Sequence, residues 1–106
     1  MKAFKITLNY VTDFYYKRIP HHLSHIKHFK DYAGSNKIHL IGGTEFPSDS
    51  AILFASTESK DLLEQMIRSD EYYKQGLISG FEIEELRTIS ENSVPDLVHK
   101  YEYIGK

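Results

Sequence analysis

The segment FKITLNY, residues 4–10, alternates apolar and polar side chains along its whole length. A period of two places successive side chains on opposite faces of a β-strand, so the segment predicts a strand with one buried face. The elements that follow in the chain decide what covers that face.

Two helices and three further strands follow this strand. Residues 12–18 read as a polar, aromatic loop. Pro20 suits the first turn of a helix over about residues 20–33, which Gly34 would end. KIHLIG (37–42) and SAILFAS (50–56) predict two strands joined by the turn-forming GGTEFPSDS. Ser59 is a plausible N-cap for a second helix ending by Gly76 or Gly80, and FEIEELRTI (81–89) predicts the last strand.

The resulting order, β-α-β-β-α-β, predicts an α+β protein with a ferredoxin-like split β-α-β fold. Such a fold has a four-stranded antiparallel sheet with both helices on one face. Neighbours on the same strand, such as Ile52 and Leu53, are both apolar, so the open face should also be covered. We therefore expect a homodimer through the open sheet face. Residues 1–89 form the predicted domain, and residues 90–106 a C-terminal extension of unknown role.

Composition limits the classes of function. The chain has 106 residues, with 13 Lys and Arg against 15 Asp and Glu, so its formal charge is −2 and argues against a nucleic-acid binder. Cysteine is absent, which excludes thiolate chemistry and fits a reducing compartment. The first residues lack the apolar run of a signal peptide, and no segment approaches the roughly 20 apolar residues of a membrane span. We expect a cytoplasmic protein without membrane contact.

The segment RIPHHLSHIKH, residues 18–28, contains four histidines. At about 100° per residue, His22 falls at the edge of the apolar stripe of the first helix, while His21, His25 and His28 share the other flank. The simplest interpretation of those three is a solvated helix face. The alternative is a metal site, because an i, i+4 histidine pair can bind zinc or nickel. We expect no metal.

Asp70 falls on the apolar stripe of the second helix, with Leu62 and Met66, if that helix continues so far. Aspartate is almost never fully buried unless it is paired. It could therefore turn to solvent at a helix end, or pair with a buried donor. Both helices pack on one sheet face, so His22 and Asp70 could share a cleft. A His–Asp pair fixes the tautomer of the imidazole and suits it to proton transfer, as in isomerisation or elimination.

Three segments resemble the YciI-like (YCII-related) family of small α+β proteins. RIPHHLSHIKHF resembles the family's R-P-x-H-L segment, with His22 at the histidine. KIHLIGGTEF resembles its glycine-containing strand end, with Gly43 at the glycine. RSDEYYKQGLISGFEIEEL resembles its D-P-Y segment and last strand, with Asp70 and Tyr72 in place. Together the segments span about residues 3–89.

The resemblance implies a dimeric α+β barrel with a His–Asp active site in a cleft, carried here by His22 and Asp70. One type of relative is a dehydrochlorinase that acts on a chlorinated hydroxyhydroquinone. The chain departs from the family's pattern at two places. Arg18 stands one position before the expected arginine, where it could clamp an anion or lie on the surface. Glu71 replaces the proline after Asp70 and adds a carboxylate that could attract a cation.

These observations support three hypotheses. The first is an enzyme, with His22 as general acid or base and Asp70 as its orienting group; the expected substrate-binding residues are Arg18, Gly43, Thr44 and Tyr72. The second is a non-catalytic small-ligand-binding or regulatory module. The third is a haem-degrading or cofactor-free oxygenase, although nothing in the sequence marks haem. We expect no cofactor. The aromatic segment DFYY (13–16) would cover the substrate or pack at the dimer edge.

Overall fold

The computed structural model describes residues 1–46 and 49–86, with residues 44–46 described by their backbone alone. The strands are β1 (Lys2–Tyr10), β2 (His39–Phe46), β3 (Ser50–Thr57) and β4 (Ile78–Leu86). The helices are α1 (Phe14–Lys17), α2 (His22–Ser35), α3 (Lys60–Arg68) and α4 (Glu71–Lys74), with a 3₁₀ turn at Ile19–His21.

The four strands form one sheet in the order β2-β3-β1-β4, and every neighbouring pair is antiparallel. Ile6 on the central strand β1 lies opposite Leu53 on β3 and Ile83 on β4. This is the ferredoxin-like α+β topology that the element order predicts.

The apolar residues of β1 form the centre of the core. Phe4, Ile6 and Leu8 are almost completely buried, and they belong to one cluster with buried residues of α2 and α3, including Phe29 and Leu63. Burying such a side chain contributes about 1.5–3 kcal/mol. The alternation in residues 4–10 therefore predicted correctly which face of β1 meets the helices.

The opposite sheet face carries a mixture of polar and apolar side chains. Cross-strand partners lie on the same face, and Lys5 pairs with Phe54 while Thr7 pairs with Ile52. Phe54 keeps 37% of its surface exposed. Leu53, on the other side of the sheet, packs against the core. The two apolar neighbours in β3 thus do point to opposite faces, as predicted.

Strand β2 is longer than the sequence indicates. The prediction ended it at residue 42 and made GGTEFPSDS a turn, but the pairing with β3 continues to Phe46 opposite Ser50. The register shifts between Leu40 and Gly42, and Gly42 adopts a positive φ of 115° there. Glycine accepts this backbone conformation, so the strand resumes beyond the irregularity instead of ending. Residues 47–48 lie outside the described part of the chain.

The predicted second helix consists of two shorter helices. α3 ends at Arg68, and the backbone at Asp70 is extended, with φ −73° and ψ 147°, before α4 begins at Glu71. The Ser69 hydroxyl donates to the Gln65 carbonyl 2.6 Å away, and such side-chain bonds to the backbone compete with continuation of a helix. The predicted loop over residues 12–18 also contains the short helix α1.

The last strand begins three residues earlier than predicted, at Ile78. Its predicted end at residues 87–89, and the extension at residues 90–106, lie outside the described residues. Within residues 1–46 and 49–86, no helix is long and apolar enough to cross a membrane. The cytoplasmic location stays a prediction.

Candidate active site

Asp70 is completely removed from solvent at the junction between α3 and α4. Its Oδ2 lies 2.7 Å from Nδ1 of His25, while its Oδ1 is buried and has no hydrogen-bond partner among the described residues. An unpaired buried carboxylate is very costly, so the bond from His25 is the main compensation for its burial. The prediction that Asp70 is buried and paired is confirmed, and the alternative that it turns to solvent is wrong.

The partner of Asp70 is His25 and not the predicted His22. The side chain of His25 is 16% exposed, and its ring stacks on that of Tyr72 with centroids 3.9 Å apart and planes 6° apart. An ionised carboxylate only accepts hydrogen bonds, so Nδ1–H of His25 donates to Asp70. Its Nε2 has no hydrogen bond within the described part of the chain and can exchange a proton.

His22 lies in the same site but has different partners. Nη1 of Arg18 is 3.1 Å from Nδ1 of His22, and the hydroxyl of Tyr72 is 2.9 Å from the same nitrogen. Arg18 thus contacts the predicted histidine, and its guanidinium also lies 4.7 Å from the centre of the Tyr15 ring. The structure therefore agrees better with the interpretation that Arg18 lies beside the site than with the interpretation that it lies on the surface.

His21 and His28 are only partly exposed, and each has a partner, so neither lies on the freely solvated face that was predicted. His28 Nε2 lies 2.9 Å from the Met66 carbonyl and 3.0 Å from the Ser69 hydroxyl, while His21 lies 3.6 Å from Glu71. Glu71 therefore contacts His21. The three histidines of this flank have separate partners, and residues 1–46 and 49–86 contain no group of three side chains that could hold a metal ion.

The helical projection placed Phe29 and Ala33 correctly on the buried face of α2 but was wrong to include Leu23 and Ile26. Leu23 is 81% exposed and Ile26 is 48% exposed, whereas Phe29 is buried. The buried face includes the flank of His25 and His28, where the partly buried Tyr32 packs against the core. Tyr32 follows His28 by one turn, and including it in the apolar stripe would have moved the predicted face toward His25.

A cleft of about 290 Å³ opens beside the two histidines. Three of the predicted site residues line it, namely His22, Gly43 and Tyr72, together with the unpredicted His25. Asp70 lies behind His25. The remaining wall is mostly apolar and comprises Leu8, Tyr10, Ile26, Phe29, Ala51 and Leu53. Apolar walls with a few polar groups are typical of small-molecule sites, and this volume suits a small ligand.

Gly43 lines the cleft, and its lack of a side chain allows β2 to approach β3 closely. A Cβ atom at this position would lie 2.8 Å from Leu53 Cα and would overlap the carbonyl oxygen of Ile52. The close approach of β2 to β3 therefore requires glycine. The side chain of Thr44, which was predicted to bind substrate, lies outside the described residues, so its role stays a prediction.

Phe14, in the aromatic segment at residues 13–16, packs in the core behind the site. Phe14 is fully buried, stacks on Tyr10 with centroids 3.5 Å apart, and meets Tyr72 edge-on at 5.2 Å. Tyr15 and Tyr16 are exposed. Neither predicted role, a cover for the substrate or packing at a dimer edge, describes Phe14, which belongs to the core.

The fold and the site define a ferredoxin-like α+β domain with a buried carboxylate–histidine pair beside a small cleft. No model of a known family matches the sequence, and no curated protein matches it. Membership of the YciI-like family therefore stays a prediction.

Among solved structures, the chain is similar to a 5-chloro-2-hydroxyhydroquinone dehydrochlorinase (TftG) from Burkholderia phenoliruptrix AC1100, solved in complex with 2,5-dihydroxybenzoquinone. The identity is 15% and the TM-score 0.67, over 82% of this chain and 95% of that one. It also resembles the C-terminal domain of the MgtC protein from Mycobacterium tuberculosis, at 10% identity and a TM-score of 0.53, over 86% and 94% of the two chains. At these identities the likeness shows a common fold.

Proposed function

We propose that this protein is an acid–base enzyme of the lyase or isomerase type that acts on a small aromatic or enolisable substrate. The observation that carries the proposal is the 2.7 Å contact between the fully buried Asp70 carboxylate and His25, whose ring lines the cleft. A histidine held by a carboxylate on one nitrogen exchanges protons through the other. In this proposal His25 takes the acid–base role that the sequence assigned to His22.

The other cleft residues bind the substrate. His22 and Tyr72 offer polar atoms at the wall, and Arg18 adds a positive charge beside His22. A positive charge near an apolar cleft favours a substrate that carries or develops negative charge on oxygen, such as a phenol or an enolate. The bound dihydroxybenzoquinone in the structural neighbour supports a small hydroxylated ring as the substrate class.

We also propose that the protein is a homodimer through the open sheet face. Phe54 is a large apolar side chain that this face leaves partly exposed, and Ile52 lies on the same face. Burying such side chains against a second copy would remove apolar surface from water. The sequence predicts this dimer from the same two-faced apolar pattern in β3.

The proposed activity can be tested with a panel of small phenols, hydroxyquinones and enolisable acids. NMR in D₂O would follow hydrogen exchange at carbon, and halide release would follow elimination from chlorinated substrates. We expect turnover by the wild type and a loss of about 100-fold or more in His25→Gln. Asp70→Asn should also lower the rate, because the amide no longer supports the imidazolium. Lys30→Gln, at an exposed position of the same helix α2, is the control.

The alternative is a module that binds a small ligand without converting it. Saturable binding of a panel compound, with no exchange or elimination in the wild type, would favour this alternative. Turnover that survives unchanged in His25→Gln would contradict the proposed role of the Asp70–His25 pair.

A further inference from the structure

We infer that the two cleft histidines carry their protons on different nitrogens, so that His25 offers a proton acceptor and His22 a hydrogen-bond donor to one substrate. This inference rests on the proposed function and deepens it, because it names His22 as a second catalytic residue. It also specifies the substrate class. The substrate has a removable proton on one carbon. An oxygen conjugated with that carbon gains negative charge when the proton leaves.

The tautomer of His22 follows from Arg18. A guanidinium has five N–H donors and no acceptor, so its Nη1 can only donate across the 3.1 Å to Nδ1 of His22. Nδ1 must then be the unprotonated nitrogen, and the single proton of the neutral ring lies on Nε2.

The tautomer of His25 follows from Asp70, because this partner accepts the hydrogen bond whereas Arg18 donates it. The buried carboxylate only accepts, so the proton of His25 lies on Nδ1, in the 2.7 Å bond to Oδ2. The neutral ring of His25 therefore has its lone pair on Nε2. No hydrogen bond from residues 1–46 or 49–86 occupies Nε2 of either ring, and both rings line the cleft.

Tyr72 holds the two rings relative to each other. Its hydroxyl lies 2.9 Å from Nδ1 of His22, while its ring is stacked on His25 at 3.9 Å. Only 2% of Tyr72 is exposed, and Phe14 packs against its edge. A buried tyrosine with contacts to both imidazoles restricts the distance and orientation between them, which a two-point acid–base site requires.

The resulting step needs no co-reactant. Nε2 of His25 takes a proton from a carbon next to a carbonyl, and the C–H electron pair forms a carbon–carbon double bond. The carbonyl π electrons move to the oxygen, which Nε2–H of His22 stabilises by a hydrogen bond or by proton transfer. In an isomerisation the proton returns to another carbon. In an elimination, the oxygen electrons re-form the carbonyl, the electrons of the enolate double bond form a new double bond to the next carbon, and a leaving group such as chloride departs from that carbon with its bonding electrons.

Nitrogen-15 NMR of the imidazole rings tests the tautomers without any substrate. At neutral pH we expect His22 to be protonated on Nε2 and His25 on Nδ1. His28 serves as an internal reference, because its Nε2 must donate to the Met66 carbonyl at 2.9 Å. Arg18→Met should let His22 populate both neutral tautomers, because the Tyr72 hydroxyl can donate to Nδ1 or accept from it, and Arg18→Lys should restore the single Nε2–H tautomer. Arg68→Met, on α3 beside Tyr73, is the control. Protonation of wild-type His22 on Nδ1 would overturn the inference.

Kinetic measurements with a panel compound that the wild type converts distinguish this inference from the proposed function. Removing one preorganised donor to a developing oxyanion typically costs 100-fold or more in kcat, so we expect about that loss in His22→Leu. His22→Gln, which keeps an N–H donor, should recover part of it, with KM changing less than kcat. If His25→Gln is inactive while His22→Leu retains full kcat, the proposed function stands and the role of His22 is refuted. If neither variant changes kcat, both fail.

Discussion

Burial of Asp70 carries a stability cost and, in the proposed function, a chemical role. The fold buries its carboxylate completely and provides one hydrogen bond to Oδ2, whereas Oδ1 has no partner among the described residues. An apolar residue of similar size would usually stabilise such a position better than a charged one. Buried, under-satisfied carboxylates are typical of sites where electrostatics serve chemistry, which agrees with the proposed acid–base role.

Removal of His25 should destabilise the protein more than removal of both partners. His25→Ala leaves the Asp70 carboxylate buried without its hydrogen-bond donor, and we expect the free energy of unfolding to fall by about 3 kcal/mol. The double variant with Asp70→Leu should recover part of this loss, because no buried charge remains. Urea denaturation measures both values, with Lys30→Ala as the control at an exposed position of α2. A double variant less stable than His25→Ala would contradict the expectation.

Lys27 and Asp31 form an exposed pair one turn apart on α2, with Nζ 2.7 Å from Oδ2. The hydrogen bond from Lys27, followed by its charge, lowers the pKa of the Asp31 carboxyl below its usual value. A lowered pKa stabilises the fold above the unfolded-state pKa, and this contribution disappears as the pH falls through the folded-state pKa.

Carbon-13 NMR titration of Asp31 should therefore show its pKa returning toward the usual value in Lys27→Gln. The same titration in Lys60→Gln, which changes a lysine of α3, should leave it unchanged. Because exposed pairs contribute little, the stability of Lys27→Gln at neutral pH should remain close to that of the wild type. An Asp31 pKa unaffected by Lys27→Gln would refute the pairing in solution.

At the scale of elements, rotation and interruption of helices define the site. α2 turns the flank of His25 and His28 toward α3 and α4, and leaves Leu23 on the surface. The break between α3 and α4 places Asp70 at the start of a new helix, where it reaches His25. The amphipathic pattern of α3 could be predicted from the sequence. The rotation of α2 about its axis could not, because histidine and tyrosine occur on both the buried and the exposed faces of helices.

Two glycines should respond to alanine in opposite directions. At Gly43 a Cβ would overlap the Ile52 carbonyl oxygen, so Gly43→Ala must separate β2 from β3 and should cost about 2 kcal/mol. At Gly34, inside α2, the added Cβ would meet no atom within 4 Å beyond its own helix backbone and chain neighbours, so Gly34→Ala should stabilise by about 0.5 kcal/mol. Thermal and urea unfolding of both variants measure these changes. Equal effects at the two positions would show that the approach of β2 to β3 does not depend on glycine.

At the scale of the whole molecule, the open sheet face and the outer surface of α2 both expose apolar side chains. Phe54 represents the first surface and Leu23 the second. The proposed dimer uses the sheet face. Helices cover the other face of the same sheet, so a second copy is the partner that would complete a two-sided core.

Charge substitution at these two surfaces tests which of them forms the dimer. Phe54→Glu should shift the protein from dimer to monomer in sedimentation-velocity experiments and keep its fold, because the side chain is partly exposed and lies opposite Lys5. Leu23→Glu, the matched control on α2, should remain dimeric. Dissociation by Leu23→Glu alone would place the interface on α2, and a monomeric wild type would exclude the proposed dimer.

The sequence by itself determined the order of the strands and the two main helical segments and the two-faced character of β1 and β3, and it offered a buried, paired Asp70 as one of two alternatives. These properties follow from local side-chain alternation and from the cost of burying a carboxylate, and both can be judged from a single segment. Only the tertiary structure decided which histidine meets Asp70. That choice depends on the rotation of α2 about its axis and on where α3 ends. Both are set by packing between segments distant in sequence, such as Tyr72 against His25, and periodicity within one helix does not contain that information.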